Sequence, residues 1–329
     1  MLVERYDPAR HQPEWDAFVR ASKNGTFLLT RGYMDYHADR FADHSLLVRD
    51  PERRLVGVMP AHANGDRVES HAGLSYGGLV SGPEMKAPQC LRAFEAVAGY
   101  LMGNGFRAWA YKSIPHIYHR RAAEEDRYAL FLMGAQTVRR DLLSVVETAA
   151  RIPFQTRRER GVKKARAAGV VIQERTTFDE FWGMLTDALG QRHAARPVHS
   201  LAEISGLRER FPANIRLFVA APVSPRFTSA SAGVVIYESD RVAHCQYIAA
   251  SPEGRAVGAL DLLFDHLLKD VYRDIPYFDF GSSHEDGGRT VNLGLIEQKE
   301  GFGARAVAHE HCLIDLTAYR PGTLAGALR

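Results

Sequence analysis

The sequence predicts an α/β protein in the α+β sense, with two domains, each a mixed central sheet flanked by helices. Three observations predict it. Strand-like runs of two-residue alternation and helix-like runs of 3.6-residue spacing follow one another along the whole chain. The 329 residues favour about two domains of roughly 100–200 residues each. The second half repeats the order of elements read in the first: helices, an antiparallel meander, a helix and a further strand. No residue-level repeat accompanies this order, so the duplication rests on element order alone. The expected domains are 1–145 and 146–329, with the boundary near Arg139–Arg158.

Taken in order, Gln12–Ser22 reads as a helix, and Thr26–Phe41 as a second helix reached through a turn at Asn24-Gly25. Ser45–Arg49 and Leu55–Ala63 read as the strands of a hairpin around Pro51-Glu52-Arg53, followed by a short extended Val68–His71. Leu74–Val80 is a glycine-marked extended loop. Gln89–Gly103 is amphipathic and stops at Asn104-Gly105, a helix followed by the strand Ala108–Lys112. In the second half, Phe154–Ala168 is a basic helix ending at Gly169, and Val170–Glu174 is a strand. Thr177–Leu189 and Leu201–Arg210 are helices, and Ile215–Ala220, Ala230–Glu238 and Arg241–Ala249 are three successive strands. Gly258–Val271 is a helix, Pro276–Phe280 a strand and Ala306–Ile314 the last strand.

Composition narrows the class. Apolar residues make up 46% and charged residues 25%, so the chain can bury a core. A net charge of +3 does not mark a general nucleic-acid binder, and no DNA partner is expected. Cys90, Cys245 and Cys312 are far apart, show no zinc or redox spacing and suit a reducing compartment. The first residues lack the apolar core of a signal peptide, and no run approaches the roughly 18 apolar residues that span a membrane. A cytoplasmic protein without membrane insertion is expected. His37 and His44 are too far apart for a helical metal pair, so no metal is expected.

The most informative stretch runs from Tyr277 to Gly303. An apolar strand enters a turn rich in glycine and serine and loaded with Asp, His and Glu. A short helix-like stretch then delivers a lysine beside a second glycine turn. Such turns place polar side chains at a strand end, where α/β enzymes bind and react. The pattern Asp279-Phe-Gly-Ser-Ser283, then Lys299-Glu-Gly-Phe-Gly303, resembles the closing signature of the Fem-type and related GNAT-fold acyltransferases. The likeness extends over nearly the whole chain, through Gly25–Ser45, Ser70–Gly78, Arg196–Ser200 and His244–Tyr247. Two departures stand out: His284 sits where a small hydroxyl residue is expected, and Val291 where Leu is expected.

This resemblance implies tandem GNAT-like domains and an N-acyltransferase. It would move an acyl group, acetyl in the first instance, from acyl-CoA to an amine of a small polar acceptor. A nucleotide-linked amino sugar or another cell-envelope polysaccharide precursor is the acceptor class it suggests. Aminoacyl-tRNA-dependent transfer, as in the Fem branch that builds peptidoglycan cross-bridges, is an alternative. A non-catalytic binding protein on the same scaffold is a third reading.

Acyl transfer to an amine needs a base for the amine, donors for the developing oxyanion and a counter-charge for the leaving group. Lys299 is the resemblance's candidate for the cation near the donor. Asp279 either orients a neighbouring group or caps its turn. His284 or Glu285 could take the amine's proton, or simply occupy an exposed turn. His244 and Gln246 share one face of a strand and suggest a lined cleft, against the reading of a bonded core histidine. Arg255 and Gly258 partly echo the loop that holds coenzyme A pyrophosphate at a helix start, although Leu260 departs from it. Arg157, Lys163 and Lys164, in the densest basic run, are candidates for phosphate binding or for a solvated face. Tyr33, His37 and Arg40 fall on one face of the expected helix Thr26–Phe41, as an acceptor stripe or a packing face. Tyr76, His199, Ser283 and Asn292 complete the substrate-binding candidates.

Overall fold

The structure, a computed structural model, describes residues 1–193, 196–222 and 230–328. The chain divides into two compact units, Met1–Asp141 with Ala308–Arg329, and Leu142–Val307. It begins with β1 (Leu2–Arg5) and α1 (Pro8–Ala21). Asp7 caps α1 by accepting from the Ala9 amide at 3.0 Å, and Pro8 takes a first-turn position whose missing N–H costs nothing. The single helix expected over Thr26–Phe41 is instead a 3₁₀ turn at Phe27–Leu29, α2 (Arg31–Met34) and a 3₁₀ turn at Asp35–His37. Three residues per turn in place of 3.6 breaks the stripe expected of Tyr33, His37 and Arg40.

β2 (Ala42–Asp43), β3 (Leu46–Arg49), β4 (Leu55–Met59), β5 (Ala61–Asn64) and β6 (Arg67–Ser70) follow. The strand expected over Leu55–Ala63 divides at Pro60, which has no N–H to donate to a ladder. β4 pairs with β3 and β5 with β6, in separate sheets. After β7 (Val80–Ser81) come α3 (Ala87–Gly103), β8 (Ala108–Lys112), α4 (Glu125–Leu132) and β9 (Gln136–Glu147). The sequence reading assigned neither β1, α4 nor β9. The apolar residues of β9 crowd at its end, and Val138-Arg-Arg-Asp141 hides its alternation.

α5 (Thr156–Ala167), β10 (Val170–Arg175), α6 (Asp179–His193) and α7 (Leu201–Arg210) follow β9 in the second unit. Ser200 and Glu203 form a reciprocal capping box on α7. β11 (Ile215–Pro222), β12 (Ala232–Glu238) and β13 (Val242–Ala250) form an antiparallel meander. The helix expected over Gly258–Val271 comprises α9 (Ala259–His266) and a π-helical turn, Leu267–Val271, preceded by α8 (Pro252–Val257). β14 (Tyr277–Ser282), the small hairpin of β15 (His284–Glu285) and β16 (Thr290–Val291), and α10 (Leu293–Glu300) follow. The chain closes with β17 (Arg305–Asp315) and α11 (Thr323–Gly326).

Each unit contains the same strand sequence in space. In the first, β2, β5 and β6 are antiparallel, β8 lies parallel to β6, and β17 runs antiparallel to β8. In the second, β11, β12 and β13 are antiparallel, β14 is parallel to β13, and β9 is antiparallel to β14. A parallel neighbour needs a crossover, supplied by α3 in one unit and by α8–α9 in the other. The last strand of each set is remote in sequence from the neighbour it pairs with. The Leu142–Glu147 part of β9 opens the second unit and pairs with β14, and β17 brings the chain's end back to β8.

The second core packs Phe264, Phe278, Phe280 and Phe302 under α5 and α9. α5 and α9 meet closely because Gly161 and Gly258 leave no side chain between them. A Cβ on Gly161 would stand 1.8 Å from Asp261 Oδ2, and one on Gly258 (φ +81°) 2.6 Å from the Gly161 carbonyl oxygen. Gly161→Ala and Gly258→Ala should each lower stability by about 1–3 kcal/mol in urea unfolding. Gly99→Ala, exposed in α3 with nothing within 4 Å of the added methyl, should instead stabilise by about 0.5–1 kcal/mol. Equal effects at all three positions would refute the close approach of α5 and α9.

Candidate functional site

The second unit's parallel pair comes apart partway. β13 and β14 are in register only from Val242↔Tyr277 to His244↔Asp279, although β13 continues to Ala250. Both strands change course at this point. On β13, Gln246 is an extra residue against β12, whose Val235 and Ile236 pair with Tyr247 and Cys245. On β14, the register with β9 shifts between Asp279 and Ser282, and Gly281 adopts φ +72°. Bulges of this kind bend a strand and re-aim its side chains. Beyond the parting, the backbone edge of β13 that would have faced β14 carries no ladder.

A cavity of about 650 Å³ opens there. Ile248, Ala249 and Ala250 of β13 and Phe280 of β14 line it, with Lys299 and Leu295 of α10 and Leu185 and Leu189 of α6. Its basic members are Arg157, Arg158, Arg255 and Lys299, and Gly258, Leu260 and Asp261 bring the start of α9 to its wall. A helix start presents amide hydrogens that favour anions, but Asp261 in this first turn is itself an anion. Arg158, buried, answers it with Nη1 3.0 Å from Oδ1. That ion pair pushes two opposing effects onto Asp261: burial raises its pKa and Arg158 lowers it, with a net rise.

At the parting, His244 Nδ1 lies 2.9 Å from Asp279 Oδ2. A carboxylate only accepts, so Nδ1 carries a proton. Asp279 is buried, and its Oδ1 also accepts from the Gly281 amide at 2.7 Å. Asp279 thus meets a histidine and its own turn at once. Lys299 is buried and donates to the carbonyls of Gly281 at 3.0 Å and Ser282 at 2.7 Å. Burial pushes its ammonium down to about 8, with Asp279 and then Cys245 pulling the other way. Two of its three donors are spent on the turn, so the side chain is a fixture of the site as well as a wall of the cavity.

The remaining candidates from this turn stand beside it. His284 and Glu285 form β15, and Glu285 is exposed and accepts from Asn292 Nδ2 at 2.8 Å. Asn292 caps α10, its Oδ1 accepting from the Leu295 amide at 3.1 Å. Ser283 Oγ, His284 Nδ1 and Gln246 Oε1 are buried with no hydrogen-bond partner among the described residues. The bulge at Gln246 shifts the alternation, so Tyr247 lies on the same face as His244, not on the other face as the sequence reading had it; it shares its hydroxyl with His199 Nδ1 and packs edge-on against Trp182. Burial pushes the Tyr247 hydroxyl up to about 12. Lys163 and Lys164 are exposed on α5 and, unlike Arg157, do not line the cavity.

Tyr33, His37, Arg40 and Tyr76 belong to the first unit and do not line this cavity. Tyr33 is buried against Phe27 and Tyr36. His37 stacks on His71 with ring centres 4.9 Å apart, and burial lowers its pKa. Tyr76 shares its hydroxyl with Thr26 Oγ1 at 2.9 Å and packs on Tyr118. Arg40 is exposed. The sequence reading passed over Arg158, Asp261 and the α6 wall. Arg158 lay inside the basic run, but nothing in the run distinguishes the arginine that turns inward.

No protein-family model matches the chain, and no curated protein sequence matches it. Solved structures do. The crystal structure of FemX superposes with a TM-score of 0.66 at 10% identity, covering 100% of both chains. L-PGS from Bacillus licheniformis gives 0.59 at 10% identity, over 95% of this chain and 93% of that one. A tandem GNAT protein from the clavulanic acid biosynthesis pathway gives 0.52 at 12% identity, over 96% and 99%. The chain has the tandem, Fem-like GNAT acyltransferase fold.

The burial of Lys299 yields a pH test. Unfolded, Lys299 keeps its proton up to about 10.5; folded, it releases it near 8. Between these values the unfolded chain binds more protons, so this group's contribution to stability rises with pH. Relative to Lys299→Met, the wild type should gain about 1 kcal/mol per pH unit across that window, read by urea unfolding of both proteins at several pH values. Parallel pH profiles would mean that Lys299 is not desolvated. Methionine also leaves the Gly281 and Ser282 carbonyls without their donor, so the substitution is not neutral for folding.

Proposed function

We propose that the protein is an N-acyltransferase that moves an acyl group, acetyl in the first instance, from acyl-CoA to an amine on a small polar acceptor. The observation that carries this reading is the cavity at the parting of β13 and β14, with an unladdered backbone edge on one side and Lys299 and Phe280 on the other. Free backbone amides along that edge are the donors a tetrahedral oxyanion needs, already in place before reaction. His244, held by Asp279, takes the proton from the incoming ammonium on Nε2 and leaves the amine free to attack. The amine nitrogen bonds to the acyl carbon, the carbon–sulfur bond breaks, and the departing thiolate beside Lys299 takes up the second proton that the nitrogen sheds, leaving as the thiol. Arg157 and Arg255 line the same cavity and meet the donor's phosphates. The buried, unpartnered atoms of Gln246, Ser283 and His284 are polar groups of the kind a bound acceptor satisfies. A nucleotide-linked amino sugar or another envelope-polysaccharide precursor has the amine and the polar surface this requires.

One observation favours a second reading. Lys163 and Lys164 are exposed on α5, outside the cavity, where a longer polyanion than coenzyme A would reach them. That arrangement suits the aminoacyl-tRNA donor implied by the Fem resemblance.

Two measurements separate the readings. Millimolar acetyl-CoA should raise the melting temperature, because a ligand that binds the native state must stabilise it. Arg255→Glu, at an exposed position, should abolish that rise. Stabilisation by aminoacyl-tRNA, with no response to any acyl-CoA, would overturn the acyl-CoA donor. Lys163→Glu with Lys164→Glu should leave the KM for acyl-CoA unchanged within about twofold; a tRNA donor should lose about tenfold or more in affinity and part of its salt dependence.

A further inference from the structure

The first unit carries a second constellation, independent of the acyl-transfer reading. Among the described residues, Asp141, His309 and His311 each offer one ligand atom, and these atoms lie within 4.8 Å of one another. Their positions follow from strand geometry. His309 and His311 are two apart on β17, so the pleat sends both side chains to one face. Asp141 stands on β9.

Three features fit a metal site better than a packed polar cluster. His309 Nε2 lies 3.0 Å from the Ser113 carbonyl oxygen, which only accepts, so the proton sits on Nε2 and Nδ1 is the ligating nitrogen. A metal-bound histidine characteristically anchors its other ring nitrogen in this way. His311 Nε2 is buried with no hydrogen-bond partner among the described residues, although a buried ring nitrogen normally finds one. Arg139 grips Asp141 with Nε 3.0 Å from both oxygens and Nη2 2.7 Å from Oδ2, and so orients the carboxylate.

We propose that Asp141, His309 and His311 bind a divalent transition-metal ion of the Zn²⁺ type. Two imidazoles and one carboxylate suit such borderline ions, whereas Mg²⁺ and Ca²⁺ prefer all-oxygen sites. Drawing the three atoms to roughly 2.0–2.2 Å from Zn²⁺ asks for side-chain shifts of about an ångström. Three protein ligands leave a fourth position for water.

The test uses the full-length, untagged chain after dialysis against a chelator. Titration with Co²⁺ should develop the visible absorbance of a low-symmetry site at one equivalent, and Zn²⁺ should displace it. Zn²⁺ should also raise the wild-type melting temperature, with the rise lost in His311→Ala and His309→Gln but kept in His71→Ala. X-ray absorption at the zinc edge of the wild type should read two imidazoles and needs no variant to fold. Absence of Co²⁺ and Zn²⁺ binding at micromolar metal would overturn the proposal. So would binding undiminished in His311→Ala, or binding lost in His71→Ala, which would place the ion among other histidines.

Discussion

Lys299 donates two hydrogen bonds to the carbonyls of Gly281 and Ser282, and much of the second unit's site depends on that contact. The turn it holds is where β14 leaves β13. With the turn fixed, the parallel ladder ends at His244 and Asp279, and the space beyond stays open as a cavity. A flexible point charge becomes a rigid fixture because burial is tolerated only when its donors are met. The same burial lowers its affinity for a proton, so structure and chemistry are joined in one side chain.

Around that contact the polar groups form a chain of support. Asp279 faces two ways, toward His244 and toward the Gly281 amide. Phe280, between them in sequence, turns to the core with Phe264, Phe278 and Phe302. Alternation along a strand thus sends Asp279 to the histidine and its neighbours to the aromatic core. The packing that fixes Phe280 also fixes the carboxylate beside it, and through that carboxylate the His244 ring.

The basic run on α5 shows how one helix divides its charges. Arg158 turns inward to Asp261 and lies over the Phe302 ring, while Arg157 reaches the cavity and Lys163 and Lys164 face outward. Arginine fits the inward place because its planar guanidinium pairs with a carboxylate and stacks on a ring together. Gly161 and Gly258 make this possible by letting α5 approach α9 at backbone distance.

The sequence by itself determined the fold class and the place of the most polar strand end. Periodicity marks most of the elements, and Asp279 to Lys299 carries its own punctuation in glycines, serine and acids. Tertiary structure decided the rest. Local patterns describe neighbours in sequence, whereas β9 and β17 each complete a sheet with strands remote in the chain, and no local signal encodes such a partner. The failed helix at Thr26–Phe41 has the same cause: burial of Tyr33 and His37 in their own unit outweighs helix periodicity. Which arginine turns inward, where β13 and β14 part, and which histidine meets Asp279 are set by packing across elements, where burial makes each unpaired group costly.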